Sequence, residues 1–358
     1  MYLYTILIYI LTMKDLFDRC DFGDLKLNSR IVRTGLWESE REKSGNMTPE
    51  IYNRYENMAA SDVGLIISEL YSLYPRDVFS KYTNTVNYSR FSREARDLTD
   101  LVHIYDVPIF AQLGFVQYNK RAQQNMKIED ISIEDIRKIQ TDIIIAAQKF
   151  DYAGFDGIQL GLGNYYFLSR FINPTFNSRT DRYGGSTLNR LKMILEMIKV
   201  MKDNTSLHIN CRLNAFDGTT NGMTLSETIE ICKILENYGV DSIQITRPRS
   251  PQFFTRENHE KNPLIEATEE IIKNIEIPVI LGGGVTSQNQ INELLNSTCI
   301  DFVSMQRPFV NDPSFLVDWQ IEGNGESRCI TCNNCYWKKT STCHIKPCST
   351  LNPIYKEE

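Results

Sequence analysis

The chain has 358 residues, a formal net charge of −6, 42% hydrophobic and 11% aromatic residues. This suffices for two domains or for one α/β barrel of about 250 residues or more. The acidic balance and the lack of a basic block exclude nucleic acid and an anionic membrane surface as expected partners.

Residues 1–12 read MYLYTILIYILT, apolar and uncharged. The run is too short to span a bilayer and lacks the basic start and small-residue cleavage site of a secretory signal. It reads as a non-native or mis-annotated extension upstream of Met13, with a weak membrane-surface anchor as the alternative. Apolar strand-like runs follow near residues 31–34, 63–67, 108–113, 156–160, 207–213, 241–246, 278–281 and 301–304. Between them, residues 133–150, 188–202, 225–238 and 288–296 carry apolar side chains at helical spacing. Ser132 before Glu134 and Asp135, and Ser226 before Glu227, are helix-start signals. Eight strands alternating with helices predict α/β architecture: a closed (β/α)8 TIM barrel with its site at the C-terminal strand ends. A doubly wound open sheet is the alternative. It would need a Gly-rich loop after the first strand, and RTGLW at residues 33–37 is not one.

Candidate chemistry follows the same order. Residues 161–166 read GLGNYY; in an extended loop Asn164 and Tyr166 face the same way. Residues 173–190, NPTFNSRTDRYGGSTLNR, form a long polar loop after a strand, a place for a site. A surface loop with an internal Arg–Asp pair is the alternative. In LHINCRLN, residues 207–214, alternation puts His208, Asn210, Arg212 and Asn214 on one face. An Arg inside a barrel needs a fixed anionic partner. PVILGGG at 278–284 and DFVSMQRP at 301–308 put glycines and Arg307 at the last two strand ends. Such glycines let backbone N–H groups close on a phosphate, with Arg307 as charge partner. Of the nine cysteines, Cys20, Cys211, Cys232 and Cys299 are scattered like small buried hydrophobes; five crowd into residues 329–348. That cluster, without a secretory signal, points to the cytoplasm and to a metal or redox role rather than disulfides.

Residues 153–190 resemble the loop after the fourth strand of the old yellow enzyme family of flavin-dependent ene-reductases. There the pattern runs aGfDGveih, then NxRTDxYGGSxxNR; here it stands as AGFDGIQL and NSRTDRYGGSTLNR. The resemblance covers most of residues 13–353. It implies FMN, with Arg212 against the N1–O2 edge, Gln112 on the pyrimidine edge, Thr34 beside the ring, and Gly283, Gly284 and Arg307 on the phosphate. It makes Tyr166 the proton donor and Asn164 a donor to the substrate carbonyl. Four departures stand out. Gly161 replaces the family His, Trp37 replaces a Thr or Cys near the flavin O4, Gln306 replaces a Gly, and a second His-bearing motif gives way to Phe115 and Tyr118. Arg170 and Tyr165 are the candidates to replace the lost carbonyl donor.

The tail resembles the cluster site of the 2,4-dienoyl-CoA reductase and trimethylamine dehydrogenase branch, although that branch's C-terminal FAD domain is not expected in these 358 residues. It implies Cys329, Cys332, Cys335 and Cys348 as ligands of a [4Fe–4S] cluster, with Cys343 competing for the fourth place. Zinc and a vestigial motif are the alternatives. The expected organisation is an extension (1–12), an FMN-binding barrel (13–320) and a Cys-rich tail (321–358). The expected activity is NAD(P)H-dependent reduction of a small electrophilic alkene. A flavin/iron–sulfur carrier serving a redox partner protein is one rival; a flavin-free phosphate-binding barrel is another. No nucleic acid or membrane is expected, and the oligomeric state is open.

Overall fold

Eight parallel strands pair in a closed ring. They are β3 (Ile31–Arg33), β4 (Leu65–Ser72), β6 (Ile109–Gly114), β7 (Gly157–Leu162), β8 (His208–Asn214), β9 (Ser242–Thr246), β10 (Val279–Gly282) and β11 (Phe302–Met305). Closure comes from β3, which pairs with β4 on one side and β11 on the other. A short β5 (Asn84–Thr85) extends β4 outside the ring. This computed structural model describes residues 13–35, 46–74, 84–115, 127–164, 166–217, 221–247, 263–332, 335 and 343. The segment 1–12, Trp37, Tyr118, Tyr165 and Cys348 lie outside them. All eight expected strands are present, and the fold is the expected TIM barrel. No described helix is long and apolar enough to cross a membrane.

Helices sit between the strands. Ser132 caps helix Ile133–Tyr152, its Oγ accepting from the Asp135 amide at 3.0 Å. At helix Leu225–Asn237 the cap is Thr224, which accepts from the Glu227 amide at 3.2 Å; Ser226 lies inside the first turn. Both residues fit a start signal, but the hydroxyl three residues before Glu227 has the reach.

Strand alternation divides the interior in two. Ile158, Leu160, Ile209, Cys211, Leu213, Ile243 and Ile245 point outward into the main core under the helices. A smaller inner cluster holds Val32, Leu65, Ile67, Phe110, Ile280 and Phe302. Phe22 and Leu27 complete it from a hairpin, β1 (Cys20–Phe22) with β2 (Leu25–Leu27). Phe22 stacks on His208 at 5.3 Å and meets Phe302 edge-on at 4.9 Å. The hairpin thus closes the N-terminal end of the barrel. Each such fully buried aromatic contributes roughly 1.5–3 kcal/mol.

Candidate active site at the barrel mouth

Above the inner apolar cluster lies a layer of amides and hydroxyls. The register sets Gln112, Gln159, Asn210 and Ser242 side by side on β6, β7, β8 and β9. Gln112 Nε2 donates to Gln159 Oε1 at 2.7 Å. Gln159 Nε2 donates to Asn210 Oδ1 at 2.7 Å and to Gln244 Oε1 at 2.9 Å. Gln244 Nε2 in turn donates to Thr34 Oγ1 at 3.0 Å and Ser304 Oγ at 2.8 Å. Gln159, Asn210 and Gln244 are fully buried. An unpaired buried amide would cost about 1–3 kcal/mol, so this layer is stable because its members satisfy one another.

Arg212 sits one inward-facing position beyond Asn210, and its Nη1 donates to Thr34 Oγ1 at 3.4 Å. Arg212, Thr34 and Gln112 are thus linked through one hydrogen-bonded layer at the C-terminal strand ends. Gly35 follows Thr34 closely against β4 and β6. A Cβ there would fall 2.2 Å from Ser68 O and 2.6 Å from Gln112 Oε1. Across the mouth, Gly283 and Gly284 take φ of 80° and 85°, a left-handed pair that any side chain would strain. Gln306 Nε2 donates to Gly35 O at 2.9 Å, tying the loop before Arg307 to the end of β3.

The loop after β7 departs from the extended form. Asn164 has φ of 59° and its amide donates to Asn214 Oδ1 at 3.3 Å. That turn interrupts the two-residue alternation that paired Asn164 with Tyr166. Tyr166 instead starts helix Phe167–Ile172, and its ring lies against Gly161. The Phe167 amide donates to Phe115 O at 2.8 Å and the two rings stack at 4.6 Å.

Residues 173–190 turn inward on themselves. Arg179 Nη1 donates to the carbonyls of Ile128 (2.8 Å) and Ile131 (2.6 Å), while its Nε donates to Asp181 Oδ1 at 3.0 Å. Arg179 holds the Asp181 carboxyl below its usual range. Arg190 bonds the carbonyls of Ile172 and Gly185 and pairs with Glu227. The internal Arg–Asp pair is formed and Arg179 is buried, so these residues brace the loop.

The NADH:flavin oxidoreductase / NADH oxidase family pattern matches residues 15–322. The chain belongs to that family. It is 25% identical over 373 residues to the NADH oxidase of Thermoanaerobacter brockii, covering 96% of this chain and 57% of that protein. The chain thus spans little more than half of that relative. It is also 25% identical over 316 residues to the NADPH dehydrogenase of Bacillus velezensis, covering 84% of this chain and 93% of that one. Similar folds include a 2-naphthoyl-CoA reductase complex (TM-score 0.80, 19% identity, 89% of this chain, 54% of that one). The old yellow enzyme homologue of Zymomonas mobilis also matches (TM-score 0.73, 20% identity, 89% and 96%).

The donor set at the mouth fits the FMN of an FMN-dependent member of this family: an Arg and an amide on one side, a paired-glycine turn on the other. In the tail, burial pushes the Cys329 and Cys335 thiols up, Cys335 to about 11. Arg307 opposes the shift in both, and the charges of Cys332 and Cys343 reach them. Asn311 Nδ2 donates to Cys343 Sγ at 3.3 Å. Yet among the described residues no three His, Cys, Asp or Glu side chains are arranged to hold a metal ion. Gln159, Gln244 and Ser304 escaped the sequence reading. Their signal was polar residues at alternate positions of buried strands: Gln159 in GIQLGL, Gln244 between Ser242 and Thr246 in SIQIT, and Ser304 in FVSM.

Proposed function

We propose that this family member is an FMN-dependent NAD(P)H oxidoreductase that reduces activated C=C bonds of enone or enoate type. The observation that supports it is the convergence of Arg212 on β8, Gln112 on β6 and Thr34 just past β3 at one end of the barrel. FMN, when bound, supplies an N5 atom that accepts and passes on hydride. The chain supplies the rest. Arg212 places positive charge where negative charge develops on reduction. Gly283, Gly284 and Arg307 hold the phosphate. Asn164 donates to the substrate carbonyl, and the Tyr166 phenol holds the proton for the substrate Cα. Denatured protein releasing FMN, with anaerobic bleaching by NAD(P)H and reoxidation by an enone, is the expected result. Release of FAD, or of no flavin, overturns the reading.

A second reading is favoured by the Cys329 and Cys335 thiols, both within electrostatic reach of Arg307: with Cys332 and Cys348 they hold a [4Fe–4S] cluster that passes electrons to a partner, or a structural zinc. Iron and zinc analysis of protein purified without oxygen tests it; neither metal, with freely titrating tail thiols, makes the motif vestigial.

A further inference from the structure

We propose that Gln159, through its hydrogen bond to Gln112, is the positioning residue that decides which end of the Gln112 amide faces the flavin; this rests on the FMN reading above. A Gln on a pyrimidine ring can present a donor or an acceptor, and a free amide would sample both. Here the choice is fixed from below. Gln159 Oε1 accepts from Gln112 Nε2 at 2.7 Å, and a Cβ on Gly35 would sit 2.6 Å from Gln112 Oε1, so the carbonyl end is turned to the mouth.

Gln159 cannot readily rotate. Its Nε2 is committed to two acceptors, Asn210 Oδ1 at 2.7 Å and Gln244 Oε1 at 2.9 Å. Those amides are anchored in turn. Asn210 Nδ2 donates to Ser242 Oγ at 2.7 Å, and Gln244 Nε2 donates to Thr34 Oγ1 and Ser304 Oγ. Flipping Gln159 would set its carbonyl oxygen against two other oxygens and its NH2 against the Gln112 NH2. The amides thus donate in one direction, from β6 through β7 to β8 and β9. Their open end, Gln112 Oε1, is an acceptor suited to a ring N–H. Gln159 is fully buried and reaches the mouth by two routes, directly through Gln112 and through Gln244 to Thr34, and the double variant below tells a loss through Gln112 from one through Thr34.

The test uses holoprotein and four variants: Gln112→Met, Gln159→Met, Gln159→Glu and the double Met variant. FMN loss on dilution is followed by flavin fluorescence, and the visible bands are recorded beside thermal unfolding. Gln159→Met is expected to weaken FMN about tenfold, one hydrogen bond's worth, and to shift the bands as Gln112→Met does. The double variant should be no weaker than Gln112→Met alone. Gln159→Glu, held protonated by burial against two acceptor oxygens, keeps the acceptor for Gln112 and an O–H for Asn210 Oδ1 or Gln244 Oε1, and should stay within about threefold of wild type, well under one hydrogen bond's worth. Should Gln159→Met not fold, Gln159→Asn, one carbon too short to reach Gln112, takes its place with the same expectation. FMN affinity and bands unchanged in the Met (or Asn) variant, additive losses in the double variant, or Glu behaving like Met would each overturn the positioning role. Wild-type protein without FMN overturns the FMN reading and this inference with it.

Discussion

Gly161 leaves the space that the ring of Tyr166 occupies: a Cβ at position 161 would lie 3.1 Å from Tyr166 Cδ2 and 3.8 Å from Cε2. The sequence invites restoring the family His at this position to regain a carbonyl donor. The packing opposes it, because an imidazole cannot enter without moving the ring. We expect Gly161→His to lower enone turnover about tenfold, as a misplaced proton donor does. Gly161→Ala should have a milder effect. Rates above wild type in the His variant would show that the ring has room to move.

Arg212→Ala should weaken FMN retention by about ten- to a hundredfold, the range for losing a charge-assisted hydrogen bond. Arg212→Lys should recover part of it. Flavin fluorescence on dilution reads both, and equal retention in all three proteins would remove Arg212 from the flavin site.

Arg179→Ala tests the braced loop. Deleting a buried cation that bonds two carbonyls and a carboxylate should cost about 3 kcal/mol, at the low end for broken buried pairs because Asp181 is partly exposed. Denaturant unfolding measures it. The folded fraction should still bind FMN, since Arg179 spends its donors on Ile128, Ile131 and Asp181.

Much of the fold is legible because parallel barrel strands are buried on both faces and read as apolar runs. The hairpin of β1 and β2 is not, because two three-residue strands are too short to show a period. At the site, Arg212 stands out by type and position, and Gln112 only through the family resemblance. Gln159 and Gln244 do not, because their meaning lies in the neighbouring strands' register. The polar segment 173–190 shows the reverse: its charges are conspicuous in sequence, and the structure uses them to fold a loop.

The pH dependence of stability should carry the mark of His208. Burial holds its imidazole below the ordinary range, with Lys202 adding to the lowering and Asp241 and Asp24 opposing it. The unfolded chain therefore binds this proton more readily than the folded one. The contribution is fully present above the unfolded value, about 6.5, and is lost as pH falls below it. His103 runs the other way: its hydrogen bond to Asp156 raises its pKa, so its contribution is present at low pH and lost as pH rises through the raised value. Wild-type stability between pH 7 and 5 should fall more steeply than that of His208→Phe, by up to ~1.4 kcal/mol per pH unit. Equal slopes in urea titrations would count against His208.

Strand β3 pairs with β11, and the segment before it is stitched to the same late region. Lys14 Nζ reaches Asp301, the Lys14 amide meets Asn296 across 282 residues, and the Leu16 amide meets Asn292. On the ribosome, the segment from Lys14 must therefore wait for the synthesis of about 280 further residues before its partners exist. Until then Phe22 and Leu27 have no completed barrel to plug, and the first strand is an open edge. Such long-range closure is slow, and it exposes apolar surface to other chains meanwhile. The price of a ring without edges is a long interval in which the first strand stands unpaired while the rest is made.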